Sequence, residues 1–141
     1  MMRVLLDTNI ILDLFLDRTG FADDAAALWK ANEQGELEAF VSAITPVNVF
    51  YFTRKVGGLE NARQATFKLI NSMQVCRIDM QVLRAAENLP LKDYEDAVQV
   101  ASAMADNLDA IVTRDLSDYK NSPLPVYLPS DFLLLHTAAK N

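Results

Sequence analysis

The feature that most constrains this chain is the run Arg3-Val4-Leu5-Leu6, short and apolar after Arg3, which stops at Asp7-Thr8-Asn9. A run of this kind suits a strand buried on both faces, as the central strands of a parallel sheet are. Strand-like runs recur at 37–43, 75–78, 109–113 and 126–128. Between them the apolar residues return at helical spacing. Residues 10–16 read as a short helix with Asn9 as its N-cap, and 21–34 as a second helix stopped by Gly35. The segment from Pro46 reads as a helix ended by Gly57-Gly58, and 59–73 as another. Residues 80–88, 94–107 and 131–138 complete the set. The 94–107 helix is the most regular, with Ala97, Val100, Ala101 and Met104 as its apolar stripe. Strands alternating with helices predict an α/β fold of three layers, a central parallel sheet flanked by helices.

At 141 residues, 51% of them apolar, the chain suits one domain spanning 1–141 with a sizeable core. It contains no repeat, linker or low-complexity tract. Cys76 is the sole cysteine, which excludes an intrachain disulfide and a cysteine-rich zinc site; within Val75-Cys76-Arg77-Ile78 it reads as a core residue. The first residues are too briefly apolar for a signal-peptide core, and no stretch approaches a membrane span. A cytoplasmic location is expected by elimination. The net charge of −6 disfavours a protein that grips nucleic acid through a broad basic surface. It leaves open a site where divalent cations reverse the local field.

In parallel α/β sheets, ligands bind beyond the carboxyl ends of the strands. Two strands end there in an aspartate, Leu6 leading into Asp7 and Val112-Thr113-Arg114 into Asp115. On the long helix, Asp93 precedes Ala97 by four residues and Asp96 precedes Val100 by four, so both extend the buried stripe toward the helix start. Asp118 follows three residues after Asp115. Each has a plainer reading. Asp7 suits a helix cap, Asp93 with Asp96 a capping arrangement, and Asp115 and Asp118 a surface turn. Together they point to chemistry. Two bare carboxylates about 4 Å apart repel by roughly 4 kcal/mol at an effective dielectric of 20. Protons or divalent cations must relieve such a group. All-oxygen ligands favour Mg²⁺ or Mn²⁺ over zinc, and such ions suit phosphodiester hydrolysis with no side-chain nucleophile.

The motifs Val4-Leu5-Leu6-Asp7-Thr8-Asn9, Asp93-Tyr94-Glu95-Asp96-Ala97, and Ile111-Val112-Thr113-Arg114-Asp115 with Asp118-Tyr119 are also recognisable. With Ser42-Ala43-Ile44-Thr45, their order and spacing resemble the PIN-domain family of ribonucleases, especially the VapC-like toxins of toxin–antitoxin pairs. The resemblance spans nearly the whole chain. It implies a Rossmann-like PIN fold and Mg²⁺- or Mn²⁺-dependent endonuclease action on RNA. By position, Asp7, Asp96 and Asp115 would be the catalytic metal ligands, with Asp118, Asp93, Thr8 and Thr113 in support. The resemblance further implies a homodimer and an antitoxin partner. One position departs: Asn48 stands where the family usually has a glutamate. An amide oxygen coordinates a metal but brings no charge and no base. That departure motivates the alternative, a catalytically weakened PIN domain acting as an RNA-binding or protein-interaction module.

The remaining candidates carry less. Arg54, Lys55, Arg63 and Lys68 read as a solvated helix face before a phosphate patch. Arg114 is placed to steady a carboxylate or meet a substrate. His136 and Trp29 read as packing residues. Phe15, Phe50, Tyr51, Phe52 and Leu59 offer more apolar surface than a small sheet needs. A phospho-acceptor receiver domain would need a lysine after a late strand, and Val126-Tyr127-Leu128-Pro129 has none.

Overall fold

Among the described residues, the alternation of apolar runs and amphipathic segments resolves into five strands and six helices. The computed structural model describes the backbone of residues 1–140 and the side chains of residues 1–136. In chain order the elements are β1 (Arg3–Leu6), α1 (Thr8–Phe15), α2 (Ala22–Glu33), β2 (Glu38–Ser42), α3 (Ile44–Ser72), β3 (Gln74–Cys76), α4 (Met80–Glu87) and α5 (Tyr94–Ala105). There follow β4 (Ala110–Val112), a short 3₁₀ turn (Leu116–Tyr119), β5 (Val126–Tyr127) and α6 (Pro129–Lys140).

All strand pairs are parallel, in the order β3-β2-β1-β4-β5. β1 therefore lies at the centre, with Leu5 opposite Phe40 on one side and Ile111 on the other. The chain builds outward from β1 in one direction, then crosses back to build in the other. The switch of direction falls between β1 and β4, which opens a crevice at their carboxyl ends.

Alternating side chains supply two cores. Val4, Leu6, Val41 and Val112 face the layer of α1, α2, α3 and α6, packing with Leu28, Trp29, Leu69 and Phe132. Leu5, Phe40, Cys76 and Ile111 face the opposite way and pack with Val100 and Ala103 of α5. Each such buried aliphatic or aromatic side chain contributes about 1.5–3 kcal/mol, which is why Val4, Leu5 and Leu6 are all apolar up to Asp7. Cys76 lies wholly in this second core, and burial pushes its thiol up to about 12.

One boundary differs from the sequence expectation and another follows it. Asn9 is not the cap of the first helix: α1 begins at Thr8, and Asp7 occupies the N-cap position. The expected break at Gly57-Gly58 is present, as a kink where one helix gives way to the next. Helical structure runs from Ile44 to Ser72 with one interruption at Gly58 (φ 87°, ψ 173°), a backbone region that glycine alone adopts freely.

Candidate active site

The crevice between β1 and β4 is lined by carboxylates. Asp7 follows β1 directly, and its backbone N–H donates to the Val112 carbonyl at 3.0 Å, continuing the β1–β4 pairing. Although Asp7 stands at the N-cap of α1, its side chain caps nothing. One carboxylate oxygen instead accepts from Gln99 Nε2 at 3.1 Å and the other from Thr113 Oγ1 at 2.9 Å. Gln99 Nε2 also donates to the Tyr119 hydroxyl at 3.0 Å. Asp7 is 6% exposed, yet none of these partners is a cation. A buried carboxylate held only by neutral donors keeps its negative charge on offer.

α5 brings the next group. Asp93 caps the helix, accepting the Asp96 backbone N–H at 3.2 Å, and Asp96 sits one turn in, half-buried. Burial, then the charges of Asp7, Asp93 and Asp118, push the Asp96 carboxyl up to about 7, while a hydrogen bond with Tyr119 opposes the shift. Glu95 is raised by desolvation and by Asp93 and Asp7, with Asn48 opposing. Asn48 Nδ2 donates to Glu95 Oε1 at 2.9 Å, joining the first turns of α3 and α5 across the crevice. Asp118 is raised first by a hydrogen bond shared with Asp115, then by desolvation and the Asp115, Asp7 and Asp93 charges. Tyr119 is buried beneath them, its hydroxyl held un-ionised first by burial and then by the Asp7 and Asp96 charges. Asp7, Thr8, Asn9, Asn48, Phe52, Asp93, Glu95, Asp96 and Asp118 thus surround a cavity of about 400 Å³.

A family model of the PIN domain matches residues 3–117. The chain belongs to the PIN-domain family. None of the curated protein sequences matches it. Solved structures agree in fold at low sequence identity. VapBC2 from Rickettsia felis, bound to a DNA fragment from its promoter, is 16% identical with a TM-score of 0.70, covering 89% of this chain and 97% of that one. A toxin–antitoxin complex from Klebsiella pneumoniae is 24% identical with a TM-score of 0.66, over 89% and 97%. Mycobacterium tuberculosis VapC20, a sarcin-ricin-loop-cleaving toxin, is 13% identical with a TM-score of 0.65, over 84% and 95%.

Within this PIN fold the predicted residues sort into distinct positions. Asp7, Asp93, Asp96, Asp118, Asn48 and Thr8 meet at the cavity. Thr8 Oγ1 is spent on Thr45 Oγ1 at 2.8 Å, which ties the starts of α1 and α3 together. Thr113 stands behind Asp7 rather than at the surface. Asp115 is exposed at the start of the 3₁₀ turn, next to the cavity rather than among its lining residues. Its backbone N–H is held by Thr113 Oγ1 at 3.1 Å, and its carboxylate leans on Asp118. Arg114 does steady a carboxylate, though it is Asp13, at 3.0 Å. Arg54, Lys55, Arg63 and Lys68 are exposed along α3 and line no part of the acidic cavity. Trp29 packs in the core, edge-on to Phe15, and His136 stacks on Phe132 near Glu36.

Three contributors escaped the sequence reading as site residues: Gln99, Tyr119 and Glu95. Gln99 carried a usable signal, since it follows Asp96 by three residues on the inward face of α5. The donor set is oxygen throughout, which fits Mg²⁺ or Mn²⁺. Among the described residues no three carboxylates close into a ready-made cage. A hard ion that keeps several waters needs only one or two direct carboxylates.

Proposed function

We propose that this PIN domain is a divalent-metal-dependent endoribonuclease, the toxin of a toxin–antitoxin pair. The observation that carries the reading is the Asp7 carboxylate, buried at the switch point, facing the acids of α5 and supported only by neutral donors. Asp7 and Asp96 would hold Mg²⁺ or Mn²⁺ directly, with Asp115 and Asp118 alongside and Asp93 and Glu95 facing the hydrated side. A bound divalent ion supplies Lewis acidity toward a phosphodiester and lowers the pKa of an attacking water. The chain's own residues do the rest. Gln99 and Thr113 fix the orientation of Asp7, and Tyr119 supports Asp96 from below. The raised Asp96 carboxyl reflects the crowding of acids that a bound cation would relieve. RNA as the substrate is supported by the sarcin-ricin-loop cleavage named for VapC20.

An antitoxin partner is supported by the complexes in which the similar folds were solved. The surface that supports a second polypeptide, whether antitoxin or a second copy in a homodimer, is α3, where Val47, Tyr51, Val56, Phe67 and Ile70 all reach solvent. No helix among the described residues is long and apolar enough to cross a membrane, and a cytoplasmic setting accords with an RNA target.

Asn48 favours a second reading, a weakened domain that binds RNA or protein without cutting. The Asn48–Glu95 hydrogen bond weighs against it, because it holds a carboxylate at the same side of the cavity. Cleavage assays separate the two. Wild-type protein should cut RNA with Mg²⁺ or Mn²⁺ and stop with EDTA, while Asp7→Asn and Asp96→Asn should each lose at least about 100-fold. Cleavage that survives EDTA or both substitutions would refute the metal-nuclease reading. An inactive wild type that still binds RNA would establish the second.

A further inference from the structure

Asp13 lies on α1 beyond Asp7 and is 1% exposed. Its two carboxylate oxygens meet two guanidiniums, Arg18 Nη1 at 3.2 Å and Arg114 Nε at 3.0 Å. One buried carboxylate needs one cation; a second leaves net positive charge. Both arginine side chains remain partly open to solvent, 31% for Arg18 and 29% for Arg114. Each guanidinium has five N–H donors, more than Asp13 can engage. The Phe21 ring lies 4.3 Å from the Arg114 guanidinium carbon and fixes its plane.

The pair also sits at the edge of the acidic cavity. Arg18 Nη1 lies 3.4 Å from Asn9 Oδ1, and Asn9 lines the cavity. Asn9 and Asp13 are four residues apart on α1 and so share one face. Arg114 follows Thr113, whose hydroxyl holds Asp7. In a chain of net charge −6, an RNA strand approaching the cavity is repelled by the chain's overall charge and by the acids themselves.

We propose that Arg18 and Arg114, held side by side on Asp13, form a clamp for a backbone phosphate of the RNA strand next to the one in the acidic cavity. The inference rests on the ribonuclease reading and gives it a substrate-positioning site. Guanidinium forks match phosphate oxygens in two-pronged hydrogen bonds. The clamp therefore offsets local repulsion and sets the strand's register without reading its bases.

Binding of a labelled single-stranded RNA of about 12 nucleotides tests this by anisotropy over a range of KCl concentrations, in Mg²⁺ and in an Asp96→Asn background that does not cut. Adding Arg18→Met or Arg114→Met should raise Kd about 10-fold at low salt and flatten the slope of log K against log salt by about 0.7, the loss of one phosphate contact. Arg18→Met leaves Arg114 on Asp13, so its fold is secured by the remaining pair, and its Tm is read alongside. Lys55→Gln removes the same unit of charge from α3 and should leave Kd within about twofold. Arginine variants that match the background in Kd and slope would overturn the clamp, as would an equal loss in Lys55→Gln. If wild type cuts RNA while the arginine variants bind undiminished, the clamp alone falls. If wild type does not cut and the background does not bind RNA, the nuclease reading falls with it.

Discussion

Two aspartates at the start of the chain share nearly the same burial and opposite surroundings. Asp13, 1% exposed, has two guanidiniums on it; Asp7, 6% exposed, has an amide and a hydroxyl. Asp13 shows how this fold treats a carboxylate whose charge is structural: it supplies cations from within the chain. Asp7, Asp93, Asp96 and Asp118 receive no such treatment, and no arginine or lysine among the described residues lines their cavity. Their charge is left for something the chain does not provide. A divalent cation is the group that fits.

The comparison breaks most readily at Asp13. Removing one partner of a buried charge pair typically costs about 3–5 kcal/mol. Asp13 faces two partly exposed arginines, so Asp13→Asn should cost about 2–3 kcal/mol in urea unfolding. Asp7→Asn should cost less, about 1 kcal/mol, because the amide loses one of the bonds from Gln99 and Thr113 while repulsion from Asp96 is relieved. A larger loss for Asp7→Asn than for Asp13→Asn would mean that Asp7 is the structural residue of the two.

A smaller effect sharpens the same contrast through pH. The folded-state carboxyl of Asp96 is pushed up to about 7, against an ordinary value of 3.8. Between those values the folded protein keeps a proton that the unfolded chain has lost, so stability is highest at the acidic end and falls as pH rises through 7. In EDTA, Tm should therefore decline from pH 5 to pH 8 more steeply in wild type than in Asp96→Asn. Parallel curves for the two proteins would show that Asp96 carries no raised carboxyl.

Much of this architecture was readable in the chain, and the exceptions share a cause. The central strands β1, β2 and β4 were visible because each is a compact apolar run buried by the layers around it. Asp7, Asp93 and Asp96 could be placed at one rim because strand ends and helix phase are local properties. Asn9 misled because Asn and Asp both suit an N-cap, and only the tertiary partners of Asp7 decide which residue takes the position without capping. Gln99, Tyr119 and the Asp13–Arg114 pair depend on contacts between segments far apart in sequence. No local pattern marks a neutral glutamine as the residue that orients a carboxylate.

The most direct test of the central claim is a Mg²⁺ or Mn²⁺ titration of wild type, Asp7→Asn and Asp13→Asn, followed by calorimetry and by Tm. Ligand present at about 100 times Kd stabilises the fold by about 2.7 kcal/mol, so wild type should gain several degrees. Asp13→Asn should start from a lower Tm and gain about the same. Asp7→Asn should gain nothing and release no binding heat. A metal response that persists in Asp7→Asn, or that is absent from wild type, would contradict the account of the acidic cavity as a cation site.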